Sequence, residues 1–391
     1  MSRLPIRHPP SVIRNRQWAV VAAAFLGTRI PVLLLGALAV TIVGTVPPPA
    51  AEAVWRVSSH ELANLLARWD TFFYYTIATD GYSWDAAVFR HYNVVFFPLY
   101  PLLMRWVGAA LGGHVLFAGL MLSLTAFAGA LVVLDKLARL ELGDDYGWRV
   151  ILLMSTFPYA LYFSAVYTES LFLLLSAGAF YAMRRGRLGW AAVCGLAAGA
   201  TRPNGFWLAL PLGCLAIRPG DDDRVSPPEA WMRLAVACVP VVGVVIFSSY
   251  LQLKFGDALA WVHGQAAWGV PLLLRAGAPD PGKLPGEPTI KPIEVLTWIG
   301  NIAAFVTAVC AIRPISRRLG PAYGAWIAVN IGPPVVAHLF MSLGRFTAVL
   351  FPAFFWMALR IPRARVIRVA AAFAACQAVL AVWFFLWRPV V

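Results

Sequence analysis

The chain has 391 residues, 60% of them hydrophobic and only 13% charged, with a formal net charge of +14. One soluble core could not enclose this much apolar surface, so the composition and a mean hydropathy of +0.72 exclude an ordinary water-soluble protein. The positive charge does not predict nucleic-acid binding, because Lys and Arg occur in short clusters at the ends of apolar segments.

Apolar segments recur along the whole chain and predict an all-α, polytopic membrane protein that forms a single domain over 1–391. Runs of roughly 17–25 apolar residues are what a helix needs to cross a bilayer, and the pattern predicts about eleven such helices, with a range of about 9–13. The first run is too long for a signal peptide and is predicted to remain as a helix. The segments lie near 18–46, 114–135, 150–166, 169–183, 188–202, 205–217, 231–253, 293–312, 321–342, 345–360 and 366–387.

Two longer segments between the apolar runs are predicted to be external loops. The first, 47–113, contains the amphipathic stretches 61–79 and 97–111, whose Trp, Tyr and Phe residues are typical of interfacial helices. The second, 254–292, is rich in Gly and Pro and is predicted to be mostly irregular.

The basic clusters predict the orientation of the chain in a membrane. An excess of Lys and Arg marks cytoplasmic loops, and about 20 of the 32 basic residues fall on one side of the predicted topology. These clusters lie within 3–16, 136–149, 184–187, 218–233, 313–318 and 360–368.

Every polar cluster whose residues are of types that catalyse reactions or bind substrates falls on the other, external side. Charges within reach of a membrane are expensive and commonly functional, so these clusters are predicted to share one external cavity. They are Arg68-Trp69-Asp70, Tyr167-Thr168-Glu169-Ser170, Thr201-Arg202-Pro203-Asn204-Gly205, residues 255–268 and Gly344-Arg345-Phe346.

Six motifs follow one another along the chain: Arg68-Trp69-Asp70, Gly81-Tyr82, Phe96-Phe97-Pro98-Leu99-Tyr100-Pro101, Tyr167-Thr168-Glu169, Arg202 with Asn204-Gly205, and Gly344-Arg345-Phe346. In this order and spacing, they resemble the PIG-V family of membrane mannosyltransferases over roughly residues 20–360. The resemblance implies a GT-C fold with a long first external loop. It also implies a polyprenyl-phosphate-linked mannose as donor, and no nucleotide sugar.

The acceptor is left open by the resemblance. Eukaryotic members of the family add the second mannose of the glycosylphosphatidylinositol anchor. This chain is rich in Arg and Ala, which suggests a high-GC, actinobacteria-like source and a bacterial plasma membrane. The acceptor is therefore expected to be a glycan or glycolipid hydroxyl, with glycolipid biosynthesis as the setting.

Asp70 is the predicted catalytic base. Displacing a polyprenyl phosphate requires a group that takes the proton of the acceptor hydroxyl, and a carboxylate in a partly dry aromatic pocket suits this. The resemblance implies the same residue, since GT-C enzymes carry their catalytic carboxylate in the first external loop. Arg68 is predicted to neutralise phosphate and Trp69 to stack on sugar or lipid, unless Arg68 and Asp70 simply pair. Asp80 and Asp85 are rivals that look more typical of turns.

The other candidate residues are expected to contact substrate. Arg202 and Arg345 are predicted phosphate ligands, because a guanidinium can grip a phosphate bidentately. Glu169 is predicted to line the pocket, or else only to compensate a helix dipole. The remaining candidates, predicted to line the pocket or to bind sugar hydroxyls unless they are merely solvated or structural, are Tyr82, His91, Asn204, Gln265, His263 and Trp268.

Several other residues carry open or structural interpretations. Arg29, near the middle of the first helix, is expected either to make a structural contact or to bind substrate. His338 is more typical of a buried histidine, and residues 221–223 of a solvated acidic run. The five cysteines show no metal-ligand spacing, and the sequence contains no zinc, calcium or phosphate-loop signature, so neither metal nor cofactor is expected. A secondary transporter or lipid flippase is the alternative function.

Overall fold

The computed structural model of the protein describes residues 10–45, 56–88, 90–217, 226–268, 292–338 and 342–388. Over these ranges the regular secondary structure is entirely helical, which confirms the all-α prediction. The α-helices are α1 (Pro10–Val43), α2 (Thr71–Thr79), α3 (Leu99–Ala110), α4 (Val115–Leu142), α5 (Gly147–Thr156), α6 (Glu169–Arg184), α7 (Leu188–Gly199), α8 (Ala209–Ile217), α9 (Pro227–Phe255), α10 (Ala260–His263), α11 (Pro292–Leu319), α12 (Pro321–His338), α13 (Leu343–Ala348), α14 (Phe351–Arg360) and α15 (Arg363–Phe385). Short 3₁₀ helices occur at Asn93–Val95, Pro158–Phe163, Pro203–Leu208 and Gly264–Trp268.

Five helices in the described residues are long and apolar enough to cross a membrane, which supports an integral membrane protein. Their outward faces carry large exposed apolar side chains, such as Leu34, Ile246 and Ile367. In a membrane, lipid would cover these side chains. The five spans are Gln17–Val43, Val115–Leu142, Pro227–Phe255, Val295–Leu319 and Arg363–Phe385, and two shorter apolar stretches are Leu188–Gly199 and Pro203–Ile217.

Two predicted helices are each broken in the structure. The segment 150–166 leaves the α-helical path at Phe157, whose ψ of 139° is extended, and Pro158 then opens a 3₁₀ turn. Proline disfavours the helical conformation in the residue before it, which explains the break. The segment 345–360 is likewise divided between α13 and α14, with Pro352 in the first turn of α14.

The described part of the first predicted loop is folded against the helices. Only the second half of the predicted stretch 61–79 is helical, because the chain turns before α2 and Trp69 has a φ of +50°. The amide of Val166 donates to the carbonyl of Leu66 at 2.9 Å, and the amide of Leu99 donates to the carbonyl of Ala200 at 2.9 Å. Most of the predicted second loop lies outside the described residues.

Close packing of α7 against α9 sets the position of the segment that follows α7. A Cβ atom on Gly199 would lie 2.0 Å from the carbonyl oxygen of Pro240, and one on Gly243 would lie 2.5 Å from that of Leu196. Small residues allow such close backbone contact between helices in membranes. This close packing fixes the end of α7 on α9, and the chain turns tightly after it.

Charged residues gather at both ends of the bundle. At the end formed by the last turns of α4 and α6, Arg184 pairs with Glu141 at 2.5 Å, and Arg363 pairs with Asp145 at 3.0 Å. The start of α6 lies at the other end, where the carbonyl of Tyr167 accepts a hydrogen bond from Ser123 in α4 at 3.2 Å. The basic cluster 184–187 and the motif that begins α6 thus lie at opposite ends of one helix.

The basic clusters predict which end faces the cytoplasm, and cysteine labelling tests this. In a variant without the five native cysteines, Ser83→Cys marks the first loop and Arg187→Cys marks the basic end. A membrane-impermeant maleimide is expected to label Ser83→Cys in intact cells, and Arg187→Cys only after permeabilisation. Labelling of both variants in intact cells, or the reverse pattern, contradicts the predicted orientation.

Candidate active site

Four of the predicted site residues lie where apolar sequence is interrupted. Asp70 is the residue before α2, and Glu169 is the first residue of α6. Arg202 is extended and precedes the 3₁₀ turn at Pro203–Leu208, and Arg345 lies in the six-residue helix α13. The breaks place these four charges outside the interiors of the long apolar spans, where a charge is costly.

These four side chains form one continuous chain of ion pairs. Nη1 of Arg345 lies 2.7 Å from Oδ2 of Asp70, and its Nε lies 2.9 Å from Oε1 of Glu169. Nη1 of Arg202 lies 2.9 Å from the same oxygen of Glu169. Two carboxylates and two guanidinium groups alternate, so their formal charges cancel.

One end of the ion-pair chain is buried and the other end is partly exposed. The side chain of Glu169 is 0% exposed and that of Arg202 is 7% exposed, whereas those of Arg345 and Asp70 are 17% and 15% exposed. A substrate that approaches from outside would therefore meet Asp70 and Arg345 first. Glu169 and Arg202 form the support behind them.

Aromatic rings surround both guanidinium groups. The guanidinium carbon of Arg345 lies 5.5 Å from the ring centre of Tyr162 and 5.2 Å from that of Tyr167. Phe346 contacts both arginines, at 5.7 Å from Arg345 and 5.4 Å from Arg202. Cation–π contacts of this kind stabilise a charge that has lost its water. They also keep the surroundings of the carboxylates partly dry.

Tyr167 fixes the backbone that carries Asp70. Its hydroxyl donates to the carbonyl of Arg68 at 3.0 Å and accepts from the amide of Asp70 at 3.3 Å. The hydroxyl of Thr71 donates to the carbonyl of Val166 at 3.2 Å. The segment before α6 thus holds the start of α2 from both sides of Asp70.

The structure does not place Arg68 in the ion-pair chain. Its guanidinium is buried, lies 3.1 Å from a carboxylate oxygen of Glu61, and donates to the carbonyl of Phe385 at 2.8 Å. The ring of Trp387 lies 4.4 Å from it. Trp69 is half-buried, and its ring meets that of Trp387 edge-on at 5.8 Å.

Two of the remaining candidates, Tyr82 and Asn204, bond protein groups outside the ion-pair chain. The hydroxyl of Tyr82 donates to the carbonyl of Phe96 at 2.8 Å, and burial raises its pKa well above 10, so it stays a neutral donor. The amide of Asn204 donates to Asn330 at 2.6 Å. His91 is exposed and Gln265 is half-buried.

Several open interpretations gain a geometric basis. Arg29 donates to the carbonyls of Ala160 at 2.6 Å and Ser155 at 2.8 Å, which favours the structural contact. Asp80 is exposed at the end of α2, and Asp85 accepts from the amide of Ala87 at 2.9 Å, as turn residues do. Asp257 pairs with His263 at 2.8 Å. Residues 221–223 and the side chains of Trp268 and His338 lie outside what the structure describes.

Sequence reasoning missed the groups that surround the charges. Tyr162 belongs to a Tyr-rich break between α5 and α6, and this density of tyrosines near Glu169 was an available signal. Trp387 and Glu61 offered none, because they are far apart in sequence from one another. Among the described residues, no group of three or more His, Cys, Asp or Glu side chains is arranged to hold a metal ion.

The fold and this site define a helical membrane protein with a compensated cluster of charges at one end of its bundle. The sequence profile of the family described as Mannosyltransferase (PIG-V) matches residues 40–213, which is less than half of the chain. The match confirms the resemblance drawn from the motifs in that region and supports a glycosyltransferase. It includes Asp70, Glu169 and Arg202, whereas Arg345 lies beyond it.

Two solved structures of an oligosaccharyltransferase from Archaeoglobus fulgidus are similar to the chain. One is tethered to an acceptor peptide and the other is the apo form, and each has 12% identity and a TM-score of 0.44. The alignments cover 94% and 93% of this chain and 55% and 56% of those chains. The chain thus spans about half the length of these structures. No curated protein matches it.

Gly344 tests how tightly the support around Arg345 is packed. Its amide donates to Asn301 at 2.7 Å, and a Cβ atom there would lie 2.2 Å from the ring of Tyr159. Gly344→Ala is expected to destabilise the protein by about 1–3 kcal/mol, as overpacking does, and to lower its unfolding temperature in detergent. Gly213→Ala is the matched control, since a Cβ at that helical position has nothing within 4 Å. Equal unfolding temperatures for the two variants would contradict this account.

Proposed function

We propose that this protein transfers mannose from polyprenyl-phospho-mannose to a hydroxyl of a glycan or glycolipid acceptor, with inversion at the anomeric carbon. One observation carries the proposal: Asp70 is partly exposed and held at 2.7 Å by Arg345, itself fixed on the buried Glu169. This arrangement offers a base and a cation to the same incoming molecule. The family match over residues 40–213 supports mannosyl transfer as the chemistry.

The proposal includes a finer description of the fold. We propose a GT-C-like architecture with about eleven transmembrane helices. In it, the five long helices each cross the membrane and the shorter apolar helices supply the remaining crossings. Residues 47–113 and 254–292 form its two external loops. The site then faces the extracytoplasmic side of a bacterial plasma membrane, where a lipid carrier can supply sugar and nucleotide sugars cannot.

Asp70 is the proposed general base. It takes the proton of the acceptor hydroxyl while that oxygen attacks the anomeric carbon, and the bond from this carbon to the phosphate oxygen breaks. The polyprenyl phosphate leaves with the bonding electrons. Arg345 contacts the leaving phosphate and stabilises the negative charge that develops there.

The other residues take supporting roles in this proposal. Arg202 is almost fully buried and paired with Glu169, so we assign it to hold Glu169 rather than to touch phosphate. Trp69 remains the proposed stacking surface for sugar or lipid. His91 and Gln265 are proposed contacts for the acceptor.

Tyr82, Asn204 and Arg68 are proposed to shape the pocket rather than to line it. Each of the three already has a polar side-chain atom engaged by a protein partner. No metal or other cofactor has a role in the proposed reaction. The donor is a lipid-linked substrate.

Replacing Asp70 tests the base assignment directly. In membranes supplied with radiolabelled polyprenyl-phospho-mannose, Asp70→Asn is expected to lower label transfer by about 10²–10⁴-fold, because the amide cannot take the proton. Asp80→Asn is the matched control, since it removes an exposed carboxylate ten residues along the same segment. Its activity should equal that of the unaltered protein.

The same assay separates the alternatives. Transfer that survives Asp70→Asn would remove the base assignment, and transfer only from a nucleotide sugar would remove the donor class. A protein that transfers from neither donor but moves labelled lipid between the leaflets of a vesicle would be a flippase or transporter.

Arg345 tests the phosphate contact. Arg345→Gln removes the charge that faces the leaving group and is expected to lower kcat by about 10²–10³-fold, with partial recovery in Arg345→Lys. Arg318→Gln, an exposed position in the last turn of α11, serves as the control for loss of one positive charge. Rates for Arg345→Gln that match those of Arg318→Gln would exclude a role at the phosphate.

A further inference from the structure

A second charged cluster lies directly beside Asp70, although the proposed reaction makes no use of it. Arg68 and Trp387 are its centre, and Glu61 joins them. Nη1 of Arg68 lies 3.1 Å from Oε2 of Glu61, and the indole nitrogen of Trp387 donates to the same oxygen at 3.1 Å. The guanidinium of Arg68 stacks on the Trp387 ring at 4.4 Å, and that of Arg56 contacts this ring at 5.2 Å.

This cluster ties the end of α15 to the first loop. Nη2 of Arg68 donates at 2.8 Å to the carbonyl of Phe385, the last residue of α15. The last carbonyls of a helix receive no donor from the helix itself, so Arg68 supplies one. Trp387 has a φ of +61°, and this left-handed turn ends the helix. A fully buried Arg68 in contact with two residues from the end of α15 is a specific junction, since a buried guanidinium needs all of its partners.

The junction reaches Asp70 through Trp69. Trp69 has a φ of +50°, a conformation that bulky residues rarely adopt and that persists only where surrounding contacts hold it. Its ring packs edge-on against Trp387 at 5.8 Å. On the backbone side, Tyr167 bonds both the carbonyl of Arg68 and the amide of Asp70. The side chains of Arg68 and Trp69 thus rest on Trp387 while Asp70 is directed to Arg345.

We infer that Trp387 is a positioning residue for Asp70, acting through Arg68 and Trp69. The inference rests on the proposed role of Asp70 as base. Trp387 contacts Arg68, Trp69 and Glu61, and it acts by fixing the strained turn that aims the carboxylate of Asp70. The end of α15 therefore helps to orient the base, although it is far from Asp70 in the sequence.

The expected consequence is a split between rate and binding. Trp387→Ala is expected to lower kcat by about 10–100-fold, because a misplaced catalytic group loses rate steeply, and to change the donor KM by a smaller factor, through the Trp69 ring that rests on Trp387. Trp387→Phe keeps a ring but removes the hydrogen bond to Glu61, and is expected to lower kcat by about 3–10-fold. Trp383→Ala is the matched control, since it removes the same side chain one turn earlier in α15.

A double variant tests whether the effect passes through Asp70. If it does, Trp387→Ala lowers kcat in the unaltered protein but causes no further loss in the Asp70→Asn background, where residual transfer is compared. An equal fold-loss in both backgrounds, or a loss in Trp383→Ala as large as in Trp387→Ala, overturns the positioning role. Full activity of Trp387→Phe and Trp387→Ala overturns it as well.

The outcomes keep the two proposals separate. Full activity of Asp70→Asn alone removes the proposed base whatever Trp387 does. Loss in Asp70→Asn together with equal losses from Trp387→Ala in both backgrounds leaves the proposed function intact and removes only this inference. If Trp387→Ala does not accumulate in membranes, the same comparison is made with Trp387→Phe, in which a ring still fills the site.

Discussion

The site depends on one constraint: the carboxylate of Glu169 is completely buried, so cations must lie beside it to neutralise its charge. Removing a carboxylate from water is costly, and only close cations make it tolerable. Two guanidinium groups lie 2.9 Å from one of its oxygens, and they come from segments far apart in sequence. Glu169 thereby fixes where the segment after α7 meets α13, and Asp70 joins the cluster through Arg345.

The breaks in the helices are what make this meeting possible. Pro158 ends the α-helical path before the tyrosines, and Pro203 starts the 3₁₀ turn after Arg202. The close contact of α7 with α9 and the ring of Tyr159 against Gly344 leave little freedom in the supporting backbone. The four charges of the site are thus placed at one end of the bundle, outside the apolar interiors of the long spans, where an uncompensated ion is costly.

The sequence predicted the helical class and most helix positions because long apolar runs have few other structures open to them in a membrane. It also predicted the four charged residues of the ion-pair chain, since Asp70, Glu169, Arg202 and Arg345 interrupt apolar sequence. It could not predict which way Arg68 points. The motif predicted that Arg68 neutralises phosphate beside the base Asp70, or that the two residues pair, but the left-handed turn at Trp69 sends them to different partners. Trp387 gave no signal, because its meaning depends on a contact between distant segments.

Charge balance suggests why base and phosphate ligand are joined in one pair under the proposed function. The four charges sum to zero, so a donor phosphodiester with one negative charge finds Arg345 already shared between Asp70 and Glu169. When the acceptor proton moves to Asp70, that carboxylate loses its charge as the leaving phosphate gains one. Arg345 can then turn from one oxygen anion to another without being left unpaired in a partly dry site. Glu169 lies 2.9 Å from the Nε of Arg345, so a second carboxylate stays beside the guanidinium when the charge moves, and the buried Glu169–Arg202 pair supports this exchange.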